Sequence, residues 1–68
     1  MARSSDRAEL STLRSQLEDV SARVTAMAER YGDTPDSAVA ADLFAAERAL
    51  LAARRALMQA DTELADED

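Results

Sequence analysis

The sequence predicts an all-α fold, an antiparallel hairpin of two coiled-coil-like helices. Three observations predict it. Apolar residues recur at alternating intervals of three and four through two long stretches, which is the heptad pattern of a helix that packs along one seam. The only glycine and the only proline, Gly32 and Pro35, fall within four residues of each other between those stretches. The chain has 68 residues, one small domain, below the size at which a single core comfortably offsets conformational entropy.

Helix 1 is expected over about residues 5–31. Leu10, Leu13, Leu17, Val20, Val24, Met27 and Tyr31 form an unbroken a/d seam with Leu10 at a, and no large apolar residue occupies the b, c or f positions. Asp6 followed by Glu9 has the spacing of a capping box, which places the start near Ser5 or Asp6. Gly32 directly follows the last seam residue, where a left-handed residue would close the helix without a Cβ clash.

The turn is expected over 32–34 and helix 2 over about 35–62. Thr34 is placed to cap, Pro35 supplies a first helical φ and needs no N–H, and Asp36 puts an acid at the positive end of the helix. Val39, Leu43, Ala46, Leu50, Ala53, Leu57, Ala60 and Leu64 form the second seam. A further column, Phe44, Leu51 and Met58, lies one residue after the seam leucines and so about 100° around the helix. Asp61 to Asp68 is read as an acidic tail that frays into solvent, because it holds five acids and no base.

A connection this short makes the helices antiparallel. The seams then match in layers, Leu10 with Ala60, Leu13 with Leu57, Leu17 with Ala53, Val20 with Leu50, Val24 with Ala46, Met27 with Leu43 and Tyr31 with Val39. Layers that set a large residue against alanine let two helices approach closely.

Composition excludes several kinds of chemistry. Without cysteine or histidine there is no disulfide, no thiolate and no imidazole to bind zinc or shuttle protons near neutral pH. Glu47 is the one acid placed neither on a polar face nor near a helix end, and Ser4, Ser5, Ser11, Ser15 and Ser21 have no histidine or lysine to activate them. No enzyme activity, metal or cofactor is therefore expected.

The net charge of −6 resides mostly in the tail. From Met1 to Tyr31, five arginines balance five acids. Arg54 and Arg55 form a doublet on helix 2, but with no lysine and no net basic face, nucleic-acid binding is not expected. The N-terminus lacks an apolar run and no stretch of about 18 apolar residues occurs, so a cytoplasmic protein without a membrane span is expected. Arginine as the only basic residue, beside abundant alanine, suggests a GC-rich bacterial genome.

The hairpin length, the single central turn and the Leu/Ala layers from about Asp6 to Leu64 resemble the plasmid-encoded Rop type, in which two hairpins form a four-helix bundle that binds RNA. In that family the first helix contacts RNA. Here helix 1 is charge-balanced with no aromatic before Tyr31, so only the bundle architecture is implied. Anti-sigma hairpins that bind cyclic di-GMP carry a Glu-x3-Ser-x2-Arg-x3-Gln-x3-Asp spacing. From Glu47 that spacing reaches Arg54, but Leu51, Met58 and Thr62 stand where Ser, Gln and Asp are required.

The resulting expectation is a non-enzymatic, regulatory protein-interaction module that dimerises into a four-helix bundle. Its interface is expected at Phe44, Glu47, Leu51, Arg54, Arg55 and Met58, with Leu51 on a two-fold axis and Glu47 opposite Arg55 of the other copy and close to its Arg54. The alternative is a monomeric adaptor or anti-sigma-like hairpin that docks a different protein through Phe44, Leu51 and Met58. A second alternative is nucleic-acid or nucleotide binding through the surface arginines.

Overall fold

A computed structural model describes residues 2–66. Two α-helices of 30 residues each, α1 (Ala2–Tyr31) and α2 (Ser37–Asp66), lie side by side and pack against each other. The result is a rod with principal extents of 52 × 15 × 11 Å. Both stretches are rich in Ala, Leu, Arg and Glu, the residues that lose least on entering a helix.

The break between the helices has an identifiable cause. Pro35 has no N–H to offer the Tyr31 carbonyl four residues earlier, so the helical ladder stops there. Thr34 fills that acceptor instead, through its own N–H at 3.2 Å and its hydroxyl at 2.8 Å. The same hydroxyl oxygen accepts the Asp36 N–H at 3.1 Å. Thr34 thus ties the last carbonyl of α1 to Asp36, but α2 begins only at Ser37, two residues later than expected, so Pro35 and Asp36 lie in the turn and not in the first turn of the helix. The Val39 N–H then bonds the Asp36 carbonyl at 2.9 Å.

Gly32 departs from expectation. It does not adopt a positive φ, and its N–H bonds the Glu29 carbonyl at 3.4 Å. The turn is closed by Pro35 and Thr34, and the left-handed conformation that only glycine takes easily is not used.

The outer ends also differ from the expected boundaries. α1 begins at Ala2, which leaves Asp6 and Glu9 inside the helix and not at a cap. α2 runs through to Asp66, so residues expected to fray are helical. Glu67 and Asp68 lie outside the described residues.

The main correction concerns how each helix is turned. In the expected layers Leu13, Val20, Met27 and Val39 pack between the helices, yet they are 45%, 44%, 42% and 42% exposed. Among the described residues the buried ones are Ser21 (7%), Ala28 (0%) and Ala40 (5%). Half-buried positions on α1 follow two columns, Leu10, Leu17, Val24 and Tyr31 beside Arg7 and Arg14, which continue the line of Ser21 and Ala28. On α2 most follow Leu43, Leu50, Leu57 and Leu64 beside Glu47, Arg54 and Asp61, which continue the line of Ala40, with Phe44, Ala60 and Ala65 half-buried to either side. Each helix is therefore turned by about 50°, half the step between successive residues, from the orientation the seam predicts.

Small residues allow this turn. Ala28, Ala40 and Ser21 sit where the helices approach, and the polar members of the second column find partners across the gap. The axial level matches the expected layers more closely. Glu18 reaches Arg54 and Thr25 reaches Glu47, about half a turn from the predicted levels.

Candidate interaction surfaces

The turn of the helices gives the rod two unlike sides. On α2 the two contact columns lie between the column of Val39, Ala46, Ala53 and Ala60 and the column of Phe44, Leu51 and Met58, so these flank the contact on opposite sides. On α1 the column of Leu13, Val20 and Met27 is likewise opposite that of Ser11, Glu18 and Thr25. Glu18 and Thr25 line one groove together with Glu47, Leu51 and Arg54. The remaining column of each helix therefore shares the other side. We call the grooved side the charge face and the other the seam face.

On the charge face a ladder of polar contacts joins the helices. Asp61 meets Arg14 at 3.4 Å and Arg7 at 3.8 Å, Glu18 meets Arg54 at 3.5 Å, and the Thr25 hydroxyl bonds the Glu47 carboxylate. Ser21 donates to the Leu17 carbonyl at 2.8 Å, and the Thr25 hydroxyl also lies 3.0 Å from the Ser21 carbonyl. These hydroxyls bond their own helix or the neighbouring carboxylate. Among the described residues no three carboxylates gather to hold a metal ion, and no helix is long and apolar enough to cross a membrane.

The residues expected to form the interface distribute unevenly. Glu47, Leu51 and Arg54 share the groove beside α1, and Met58 joins Arg54 in the next depression along the rod. Leu51 is 41% and Met58 54% exposed, and Phe44 is half-buried. Arg55 is exposed and lies away from these grooves. Glu47 and Arg54 have Thr25 and Glu18 of their own chain as partners.

Asp61 is a fastener that sequence reasoning missed. Read as the start of a solvated tail, it instead receives two arginines of α1 on a side chain only 28% exposed. The signal was present in the spacing. Arg7 and Arg14 share one edge of α1, one heptad apart, and Asp61 falls on the same column of α2 as Glu47 and Arg54.

The seam face has a different character. It combines Leu13, Val20 and Met27 with the outer flanks of Leu10, Leu17 and Val24 on α1, and on α2 sets the leucine column beside Val39, Ala46, Ala53 and Ala60. Val20, Arg23, Val24 and Met27 line a shallow apolar depression there. Nearly all residues of the two predicted seams thus occur together on one side of the rod, with no covering element among the described residues. No protein-family model matches the chain, and no curated protein or solved structure is significantly similar to it.

Proposed function

We propose that this chain is a self-associating protein-interaction module in which two hairpins close their seam faces together as a four-helix bundle. The observation that carries this reading is the exposure of Leu13, Val20, Met27 and Val39 on one side of the rod. Monomeric proteins rarely leave a continuous apolar strip of this kind open to water. A second copy covers it with a surface of the same chemistry.

The poverty of the core supports the same reading. Among the described residues no large side chain is fully buried, and the buried apolar residues are two alanines. Two helices alone cannot surround a leucine, whereas four can, with a and d residues pointing to a common centre. The a/d pattern and the observed turn of each helix agree on this geometry, because a helix with two neighbours places its a/d seam towards the bundle centre, between them.

Sedimentation equilibrium tests the reading. A mass twice the 7.3 kDa of the chain, with a concentration-dependent melting temperature, is the expected result. A monomer with a cooperative melt overturns it. The rival reading, an adaptor that docks a different helix through Phe44, Leu51 and Met58, draws on the exposure of Leu51 and Met58. A monomer whose binding of another protein is lost in Leu51→Arg and kept in Val20→Arg would favour that reading.

A further inference from the structure

Resting on the self-association reading above, we infer that the second copy packs end for end, with the two turns at opposite ends of the bundle, α1 against the partner's α1 and α2 against the partner's α2. Two hairpins can close face to face about two kinds of two-fold axis. An axis along the rod leaves both turns at one end and sets α1 on the partner's α2. An axis across the rod reverses one copy and sets like helix on like helix. Two features of the seam face favour the second.

The first is the position of the exposed columns. Leu13, Val20 and Met27 are centred on Val20, and Val39, Ala46, Ala53 and Ala60 are centred midway between Ala46 and Ala53. An axis across the rod must pass both centres at one level. The contacts Glu18 to Arg54 and Thr25 to Glu47 set Val20 opposite about Ala52, so the two centres lie within about 4 Å of one level along the rod. One axis therefore brings Val20 to the partner's Val20, Leu13 to the partner's Met27, and Ala46 to the partner's Ala53.

The second is charge. The rim of the seam face on α1 reads Glu9, Gln16, Arg23 and Arg30. Reversal brings Glu9 to the partner's Arg30 and Gln16 to the partner's Arg23, and symmetry repeats both pairs. The corresponding rim of α2 reads Asp42, Ala49, Ala56 and Glu63. With the axis along the rod, Arg30 would approach the partner's Asp42 but Glu9 would approach the partner's Glu63, so attraction is set against repulsion. Exposed charges of this kind discriminate between arrangements more than they strengthen either.

The end-for-end arrangement leaves Phe44, Leu51 and Met58 on the outside of the bundle.

Disulfide trapping tests the topology, because the chain has no cysteine of its own. Val20→Cys should become a disulfide-linked dimer under mild oxidation, since the two sulfurs meet at the axis. Leu13→Cys and Met27→Cys should each fail to link alone and should link when refolded as a mixture. A sedimentation mass on each reduced variant separates a failed fold from a failed link. A monomeric unmodified chain overturns self-association itself. A dimer in which neither Val20→Cys nor the Leu13→Cys and Met27→Cys mixture links, or in which Val20→Cys links instead to Ala53→Cys, overturns the end-for-end packing alone.

Discussion

The charge face and the seam face are carried by the same two helices, but they are satisfied to different degrees. On the charge face Arg14, Glu18, Thr25, Glu47, Arg54 and Asp61 all have partners within the chain. On the seam face Leu13, Val20, Met27 and Val39 remain more than two-fifths exposed. A single hairpin can pair its polar groups across one line of contact, because pairing needs only two groups and a short distance. Burial of a large side chain needs neighbours all round it, and two helices do not supply them. The difference therefore separates what one chain completes from what, in the proposed dimer, a second chain would cover.

The largest predicted effect comes from breaking that difference on the seam face. Val20→Arg places two unpaired cations face to face at the proposed axis, where each buried charge would cost roughly 3–5 kcal/mol. Loss of the dimer by sedimentation, with a fall in helical circular dichroism at low concentration, is the expected outcome. Leu51→Arg on the charge face should change stability by no more than about 0.5 kcal/mol. If Leu51→Arg dissociates the dimer and Val20→Arg does not, the assembling face is the one that carries Phe44, Leu51 and Met58.

Next in size is a test of the proposed α2 pair. Ala53 is exposed in the single hairpin, so enlarging it should be harmless to a monomer. In the proposed end-for-end dimer it would face the partner's Ala46, and Ala53→Leu should overpack the pair at a cost of roughly 1–3 kcal/mol. Ala52→Leu, on the outer surface of the same helix, should be nearly neutral. Thermal melts of the two variants at equal concentration decide this, and equal melting temperatures would remove α2 from the interface.

How much of this was legible in the sequence depended on the kind of residue. The two helices and the break between them could be read because each follows from local chemistry, the missing N–H of Pro35 above all, but Pro35 and Asp36, expected to open α2, belong to the turn. The level at which the helices meet was legible to within about half a turn, since a single short connection limits it. The rotation was not. A heptad repeat shows that Leu10, Leu13, Leu17 and Val20 share a stripe, but a stripe that faces one partner helix and a stripe that faces a bundle centre have the same spacing. Arg7, Arg14 and Asp61 pair across the columns beside the seam, but charges at such positions are as readily solvated as paired, so they left the rotation open. The acidity of the last eight residues hid Asp61 among its neighbours.

A smaller effect is expected from opening the charge face. Asp61→Ala removes the acceptor of Arg7 and Arg14, and partly exposed ion pairs of this kind contribute about 0.5–1 kcal/mol. The loss should shrink as salt is raised, since the Debye length falls to about 3 Å at 1 M. Dimer mass should be unchanged. A melting temperature that is lowered equally at low and high salt would mean that Asp61 acts by packing and not by charge.

The smallest effect is predicted at the turn, which belongs to neither face. A Cβ added at Gly32 would meet the Glu29 carbonyl oxygen at 3.6 Å and that of Ala28 at 3.9 Å, which are ordinary contacts, and no positive φ has to be maintained. Gly32→Ala should therefore be tolerated and should stabilise the hairpin by about 0.4–1 kcal/mol, because alanine restricts the unfolded chain without straining the folded one. The measurement is a denaturant melt at several protein concentrations. A gain that is the same in monomeric Val20→Arg, wherever that variant retains a helical melt, locates the effect within one hairpin. A loss of more than about 1 kcal/mol would mean that position 32 takes the left-handed form in solution. The angle at which the turn delivers α2 to α1 would then differ from that seen here, and with it the sharing of the two seams by one face.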